Sequence, residues 1–534
     1  MAKKKLPFPH TYVIVFSLIV LGSILTWIVP GGRFARQEVV VNGVPRHVVV
    51  PGSYERVASS GQSYQVFTAL FEGMTRTSSI IFYILIIGGA FWILNSSHAL
   101  DVAIGGFVRS ARRLERQRWL RAVGVDNLIV TLIMLCFSFF GAVIGMSEET
   151  IAFVVIFVPL AISMGYDSIV GVSMCFLAAG LGFAGALLNP FTIGIAQGLA
   201  GLPLFSGLGY RLVIWAAINF VGISYVLRYM RRLRRDPTLS PVYGEDAQWR
   251  ARVEENQGLK PSKAGRAGWG VYIVVLLVLA TAAILYPITT LGIGAKTSSW
   301  VLLPPIAATW AIAGYYSTRH SVQMLNVGLL LLAIVVLVVG VMGYKWYIQE
   351  IASLFLAMGI ATGIAAGQGA NAITKLFIAG AADILSAALV VGFASGIVVI
   401  LEQGQIIDTL LAGAADAMAG FGTVGAVVVM YIFYTLLNLI IASGSAKAAL
   451  TIPLMAQFAD LVGLSRQTTV TAYQLGGGFT NLATPTSGVM VGVLAMAHIP
   501  YVKWLKWFWP LLVLLMVLGL LLLLPTVLIQ LQGF

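Results

Sequence analysis

Residues 127–165, NLIVTLIMLCFSFFGAVIGMSEETIAFVVIFVPLAISMG, are apolar at both ends and interrupted in the middle by Gly145-Met-Ser-Glu-Glu-Thr150. The run is too long for one bilayer crossing, which takes about 20 apolar residues. Two carboxylates at its midpoint are expensive at membrane depth. Irregular backbone survives there only where protein or a wet cavity covers it. The run therefore reads as a re-entrant hairpin, entering and leaving on one side. Residues 424–463 repeat the pattern, with Ser443-Gly-Ser-Ala-Lys447 at the interruption.

Outward from these two runs the chain is apolar almost throughout. Of its 534 residues 59% are hydrophobic and 10% charged, against about a quarter charged in soluble proteins. That excludes a soluble enzyme, a secreted disulfide scaffold and a disordered chain. The apolar runs lack the period-two alternation of an outer-membrane barrel. An all-α polytopic membrane protein remains, with about eleven spans: 11–30, 78–96, 168–199, 209–229, 269–287, 300–316, 324–343, 351–367, 384–402, 466–496 and 506–529. Cys136 and Cys175 lie in apolar runs, which speaks against disulfides, metal sites and thiol chemistry. No Walker A motif points to an ATP-driven pump, and no His/Cys cluster or nucleophile elbow points to an enzyme.

The net charge of +13 reads as basic cytoplasmic loops rather than as nucleic-acid binding. Arg109, Arg112, Arg113, Arg116, Arg118 and Arg121 follow the second span. Arg228, Arg231, Arg232, Arg234 and Arg235 lead into a linker, 231–268, that holds Pro237, Pro241 and Pro261 and reads as a solvated connector. With Lys3, Lys4 and Lys5, Arg319, Lys375, Lys503 and Lys506 on the same side, the amino terminus is expected in the cytoplasm. The carboxyl terminus is then expected outside a bacterial inner membrane. The first apolar stretch is too long for a signal peptide and has no small-residue cleavage site after it, so it is expected to stay as a span. The loop 31–77 falls outside, although it is itself mildly basic. Val39–Val41 and Val48–Val50 suggest a small β cap within it.

The two halves repeat each other. Ser147, Gly165 and Asp167 correspond to Ser445, Gly463 and Ser465, each 298 residues later, and Gly182-Phe183 to Gly478-Phe479. Pro190, Pro203 and Tyr210 fall near the places of Pro485, Pro500 and Trp507. Gly89, Leu94, Asp101 and Gly106 match Gly396, Leu401, Asp408 and Gly413 at a spacing of 307. The expected organisation is a first repeat over 1–230, the linker 231–268, extra scaffold helices over 269–343 and a second repeat over 344–534. On the expected topology the hairpins open to opposite sides. Inverted repeats with broken helices are typical of secondary transporters, whose substrate site lies near the midplane.

After each hairpin comes a span that breaks. The first contains Leu188-Asn189-Pro190-Phe-Thr192 and the second Phe479-Thr480-Asn481-Leu-Ala-Thr484-Pro485-Thr486-Ser487. Proline removes a helix donor and frees a carbonyl, and glycine permits unwinding. The candidate substrate-binding residues are therefore Ser147, Glu148, Glu149, Asn189, Thr192, Ser443, Ser445, Lys447, Thr480, Asn481, Thr484, Thr486 and Ser487. Ser147, Asn189, Ser445 and Thr484 are also candidates for Na+. No cofactor is expected beyond a coupling ion, Na+ or H+. Of Glu148 and Glu149, one is expected to serve the tip structurally and the other to meet a positive group. Lys447 is open between drawing in a substrate carboxylate, acting as an internal counter-ion and occupying a cation site. His98 reads as interfacial, and Asn438 and Gln474 as packing residues. Asp167 and Ser465 read as helix caps, and Trp504, Trp507 and Trp509 with Lys503 and Lys506 as an interfacial belt.

The stretches around Gly145–Glu149, Leu188–Gly198, Ser443–Lys447 and Phe479–Gly488 resemble the YfcC branch of the anaerobic C4-dicarboxylate carrier family, within the ion transporter superfamily. The resemblance covers nearly the whole chain. It implies an elevator-type carrier, a homodimer in the lipid bilayer, with a scaffold and a moving transport domain. The moving body is expected to comprise about 78–229 and 384–534, against 11–30 and 269–367. Superfamily relatives that bind carboxylates often carry Ser-Asn-Thr-type tips, whereas this first tip is Ser147-Glu148-Glu149. The expected substrate is accordingly an amino acid with a cationic side chain (arginine, ornithine or lysine), moved by exchange or ion coupling. The alternative is a Na+- or H+-coupled carrier of C4-dicarboxylates. A channel is the reading from another class, and counterflow would separate it from a carrier.

Overall fold

The computed structural model describes residues 11–41, 44–114, 124–255, 261–293, 296–419, 421–529 and 531. Lys3, Lys4, Lys5, Glu115, Arg116, Arg118 and Arg121 lie outside them. Ten helices among the described residues are long and apolar enough to cross a membrane. Two of the ten, Val125–Val143 and Thr423–Ile440, are the first arms of the two hairpins. The return arms are Thr150–Ser163 and Gly444–Leu461. Thr11–Ile28 and Leu303–His320 account for the first and sixth expected spans. The protein is a multi-pass helical membrane protein.

The broken segments run antiparallel. They cross where Gly478 packs on Ala184 and where Gln474 Nε2 donates to the Phe183 carbonyl at 2.6 Å. Arg466, at the start of the second segment, donates to the carbonyl of Ala200, past the end of the first, at 2.8 Å. Each hairpin is closed at its base beside the start of its own segment. In the first, Tyr166 bonds Asp126 at 3.0 Å. In the second, Arg466 bonds Asp460 at 2.7 Å. Because the segments are antiparallel, the two bases face opposite ends of the molecule. Both tips stop beside the breaks. Leu188 N donates to Ala142 O at 2.9 Å, and Thr486 Oγ1 to Leu439 O at 3.0 Å.

The first hairpin can lie so close to its segment only because of two glycines. At Gly182 an added Cβ would run into the carbonyl of Ser138, and at Gly141 into that of Ala179. Overpacking of this kind costs about 1–3 kcal/mol. Gly182→Ala is expected to lower the stability of the detergent-purified protein by about that amount. Thermal unfolding checks it, and an unchanged melting temperature would mean that the arms have room to separate.

Several features depart from the sequence reading. The expected span 384–402 is the second half of one long helix, Ala370–Gln403. Lys375 and Asp383 depress hydropathy over its first half, but Ala and Leu keep it helical. This helix packs on Ser78–Ser96, which also packs on Ile348–Ala365. Residues 78–96 and 370–403 therefore pack chiefly on each other and on 65–76 and 348–365, and less on the hairpins. The linker is docked, not solvated. Asp246 is buried and accepts from Ser168 N at 2.9 Å, Ser240 donates to Asp167 at 2.7 Å, and Lys503 pairs with Glu245 at 2.6 Å. Its helix Ala247–Glu255 lies on Thr150–Ser163. Trp504 and Trp507 are buried, whereas Trp509 and Lys506 of the expected belt are exposed. Asp167 and Ser465 do cap their helices, accepting from Val170 N and Thr468 N. The β cap is present as Arg36–Val41 paired with Val44–Val49, seated against Gly444–Leu461. A helix that the sequence left as loop, Gln65–Arg76, packs on Ala370–Gln403.

Candidate functional site

Both tips and both breaks open onto one cavity of about 830 Å³, within the usual range of small-molecule sites, about 300–1,000 Å³. Four helical pieces start at this centre, at Thr150, Pro190, Gly444 and Gly488. Their first N–H groups and positive dipole ends point inward because each chain break or tip falls here. Ser443, Asn189 and Ser487 cap three of them. Ser443 accepts from Ala446 N at 3.4 Å, Asn189 from Phe191 N at 2.9 Å and Ser487 from Met490 N at 3.4 Å.

The structure separates the two glutamates. Glu149 turns back and accepts from Ser147 N at 3.0 Å, bracing the tip turn. Glu148 lines the cavity within reach of the Tyr347 hydroxyl, which comes from the opposite wall. The Tyr347 ring also lies 6.2 Å from that of Phe191. Ser147, Thr192, Ser443, Ser445, Asn481, Thr486 and Ser487 join Glu148 and Glu149 on the cavity wall. Thr480 and Thr484 do not. Thr480 Oγ1 bonds the Gly476 carbonyl one turn back, and Thr484 Oγ1 bonds Leu439 O and Thr486. Asn189 is fully buried behind Gly145. Of the four Na+ candidates, Ser147 and Ser445 face the cavity and Asn189 and Thr484 do not.

The carbonyls freed by the breaks are largely taken. Arg211 donates to Leu187 O at 3.2 Å, Trp504 to Leu482 O at 2.9 Å and Tyr501 to Ala483 O at 2.9 Å. That explains why Trp504 is buried, and it narrows the oxygens left for an ion. Lys447 lies behind the second tip, in a small recess beside the cavity. Its Nζ donates to Asn438 Oδ1 at 2.5 Å and stands 5.3 Å from the centre of the Tyr473 ring.

The sequence did not single out the outer wall. Arg36 pairs with Asp408 at 2.9 Å. Arg76 pairs with Glu72 at 2.6 Å and also with Glu402. Arg36, Arg76, Glu402 and Tyr347 all line the cavity. The repeat offered one signal, since Asp408 is the counterpart of Asp101. Asp101 lies 3.3 Å from His98, so His98 has an acidic partner. His98 also lines a second cavity of about 420 Å³. There His498 lies 3.7 Å from Asp383.

Comparisons with known proteins show the family. The family model described as "C4-dicarboxylate anaerobic carrier", DcuC, matches residues 8–528. YfcC of Escherichia coli (strain K12), named as a candidate basic amino acid antiporter, is 31% identical and is aligned over 93% of this chain and 92% of its own. An uncharacterized protein of Haemophilus influenzae is 25% identical over 98% of each chain. Among solved structures, the YdaH transporter of Alcanivorax borkumensis aligns with 98% of this chain and 100% of its own, at 16% identity and a TM-score of 0.39. MtrF of Neisseria gonorrhoeae, titled as one of a class of antimetabolite efflux pumps, aligns with 97% and 95%, at 14% identity and a TM-score of 0.38. The chain belongs to the DcuC family of C4-dicarboxylate anaerobic carriers and is a membrane transporter.

Proposed function

We propose that the protein exchanges basic amino acids across the bacterial inner membrane, with the amino terminus in the cytoplasm and the carboxyl terminus outside. One observation carries this reading. The carboxylates of the first tip, Glu148 and Glu149, have no cationic partner among the described residues, whereas Arg36 and Arg76, which line the same cavity, are each paired with acids. An acidic wall of this kind suits a substrate that brings a positive side chain. The α-carboxylate of the amino acid then faces the helix starts at Gly444 and Gly488. The name of YfcC points the same way. The mechanism we propose is an elevator. The hairpins and broken segments, 125–235 and 423–528, move against the group containing 11–28, 78–96 and 266–403, in a homodimer.

The family description favours a second reading, Na+- or H+-coupled transport of C4-dicarboxylates. The two separate in a thermal-shift screen, because a ligand that binds the folded state raises its apparent stability. Arginine, ornithine and lysine are expected to raise the melting temperature of the purified protein, and succinate is not. Proteoliposomes loaded with ornithine are expected to take up labelled arginine by counterflow, which a channel does not show. Stabilisation by succinate alone would replace the first reading with the second.

A further inference from the structure

Lys447 is almost wholly buried, and an ammonium removed from water is costly unless its donors are met. It has three donors, and Nζ donates to Asn438 Oδ1 at 2.5 Å. Among the described residues it forms no ion pair with a carboxylate, so it is not an internal counter-ion. What surrounds it is a set of neutral dipoles. The Tyr473 ring presents its face to Nζ at 5.3 Å, a cation–π geometry. Gly477 lies against the ammonium so closely that a Cβ there would overlap it. Gln474 Oε1 and Asn481 Oδ1, in the same recess, are buried oxygens with no hydrogen-bond partner. One amide oxygen and an aromatic face at the ammonium, with two further unpartnered neutral oxygens lining the same recess and no acid among its lining residues, suit a monovalent cation. Here the cation is tied to the chain. Lys447 also stands 298 residues after Glu149, the spacing that relates the two tips, so equivalent positions of the two repeats carry a basic and an acidic side chain.

We propose that Lys447 is a tethered cation, which holds the second hairpin to its broken segment in place of a free coupling ion, and that its recess accepts a small monovalent cation once the side chain is cut back. The proposal builds on the carrier reading of the adjoining cavity, but the cation test itself needs no transport.

Melting temperatures of purified wild type, Lys447→Ala and Lys447→Met are compared in methylammonium, sodium, potassium and choline chlorides at equal ionic strength. Lys447→Ala is expected to melt several degrees below wild type and to recover in methylammonium or Na+ but not in choline. Lys447→Met, which fills the same space without a charge, is expected not to recover. Wild type is expected to melt alike in all four salts. A Lys447→Ala protein that ignores every small cation, or that responds no more than Lys447→Met, overturns the proposal. If the alanine variant cannot be purified, wild-type counterflow in Na+-free choline buffer decides. Unchanged flux is expected, and a strict requirement for Na+ overturns the proposal. Arginine binding by wild type is measured alongside. Its absence would count against the basic-substrate reading and leave the cation result standing.

Discussion

Replacing Glu148 by Gln is expected to weaken binding of arginine and ornithine by about 1.5–3 kcal/mol, the range for a hydrogen bond to a charged group, or about 10- to 150-fold in affinity. The carboxylate lines the cavity, and its neighbour on the opposite wall, Tyr347, is a neutral donor. A cationic substrate would therefore meet a carboxyl that no cationic side chain of the described residues has paired. Gln keeps the shape and the acceptor oxygen and removes only the acid. Glu149→Gln is the internal control. The Glu149 carboxylate accepts from Ser147 N, and a carboxamide oxygen still accepts that hydrogen bond, so affinity is expected to change little. Isothermal titration of the two variants with arginine, ornithine and succinate checks both. If Glu148→Gln leaves arginine affinity intact, or succinate binds wild type and arginine does not, the acidic wall is not a recognition surface for basic amino acids.

Cross-linking across either cavity is expected to abolish exchange. At the central cavity the Phe191 and Tyr347 rings lie 6.2 Å apart. At the second cavity, His498 and Asp383 lie 3.7 Å apart. In each pair one residue belongs to the hairpin-bearing group and the other to the group built on 348–403. If the two groups move as bodies, a short thiol cross-linker between cysteines at either pair locks the conformation seen here. The native Cys136 and Cys175 are first replaced by serine. Counterflow is expected to disappear on cross-linking through Phe191→Cys with Tyr347→Cys, and through Asp383→Cys with His498→Cys. A cross-linker with a reducible bridge should let reduction restore it. Full cross-linking at both cavities with undiminished counterflow would rule out rigid-body motion and leave only local movement of the tips.

The hairpins and breaks were legible in the sequence because their signals are local. An apolar run too long for one crossing, interrupted by Ser147-Glu148-Glu149 or by Ser443–Lys447, has few physical solutions in a bilayer. The β cap announced itself through its valines, and Asp167 and Ser465 through the cap chemistry of the helices they open. Hydropathy was less reliable where one or two charges sat in a helical stretch, as Lys375 and Asp383 do. It also misplaced Trp504, whose indole serves a broken backbone inside the protein rather than the membrane surface.

By itself the sequence determined the class of protein and where the two hairpins and the two breaks fall, since each follows from composition and spacing along the chain. Only the tertiary structure decided what each residue there does. The division of labour between Glu148 and Glu149, adjacent in sequence and alike in chemistry, depends on which carboxylate reaches a backbone N–H and which faces Tyr347, nearly 200 residues away. The pairing of Arg36 with Asp408 likewise joins residues 372 positions apart in the chain. The physical reason is that burying a charge or a carbonyl sets only the need for a partner. Which partner answers depends on how the helices pack.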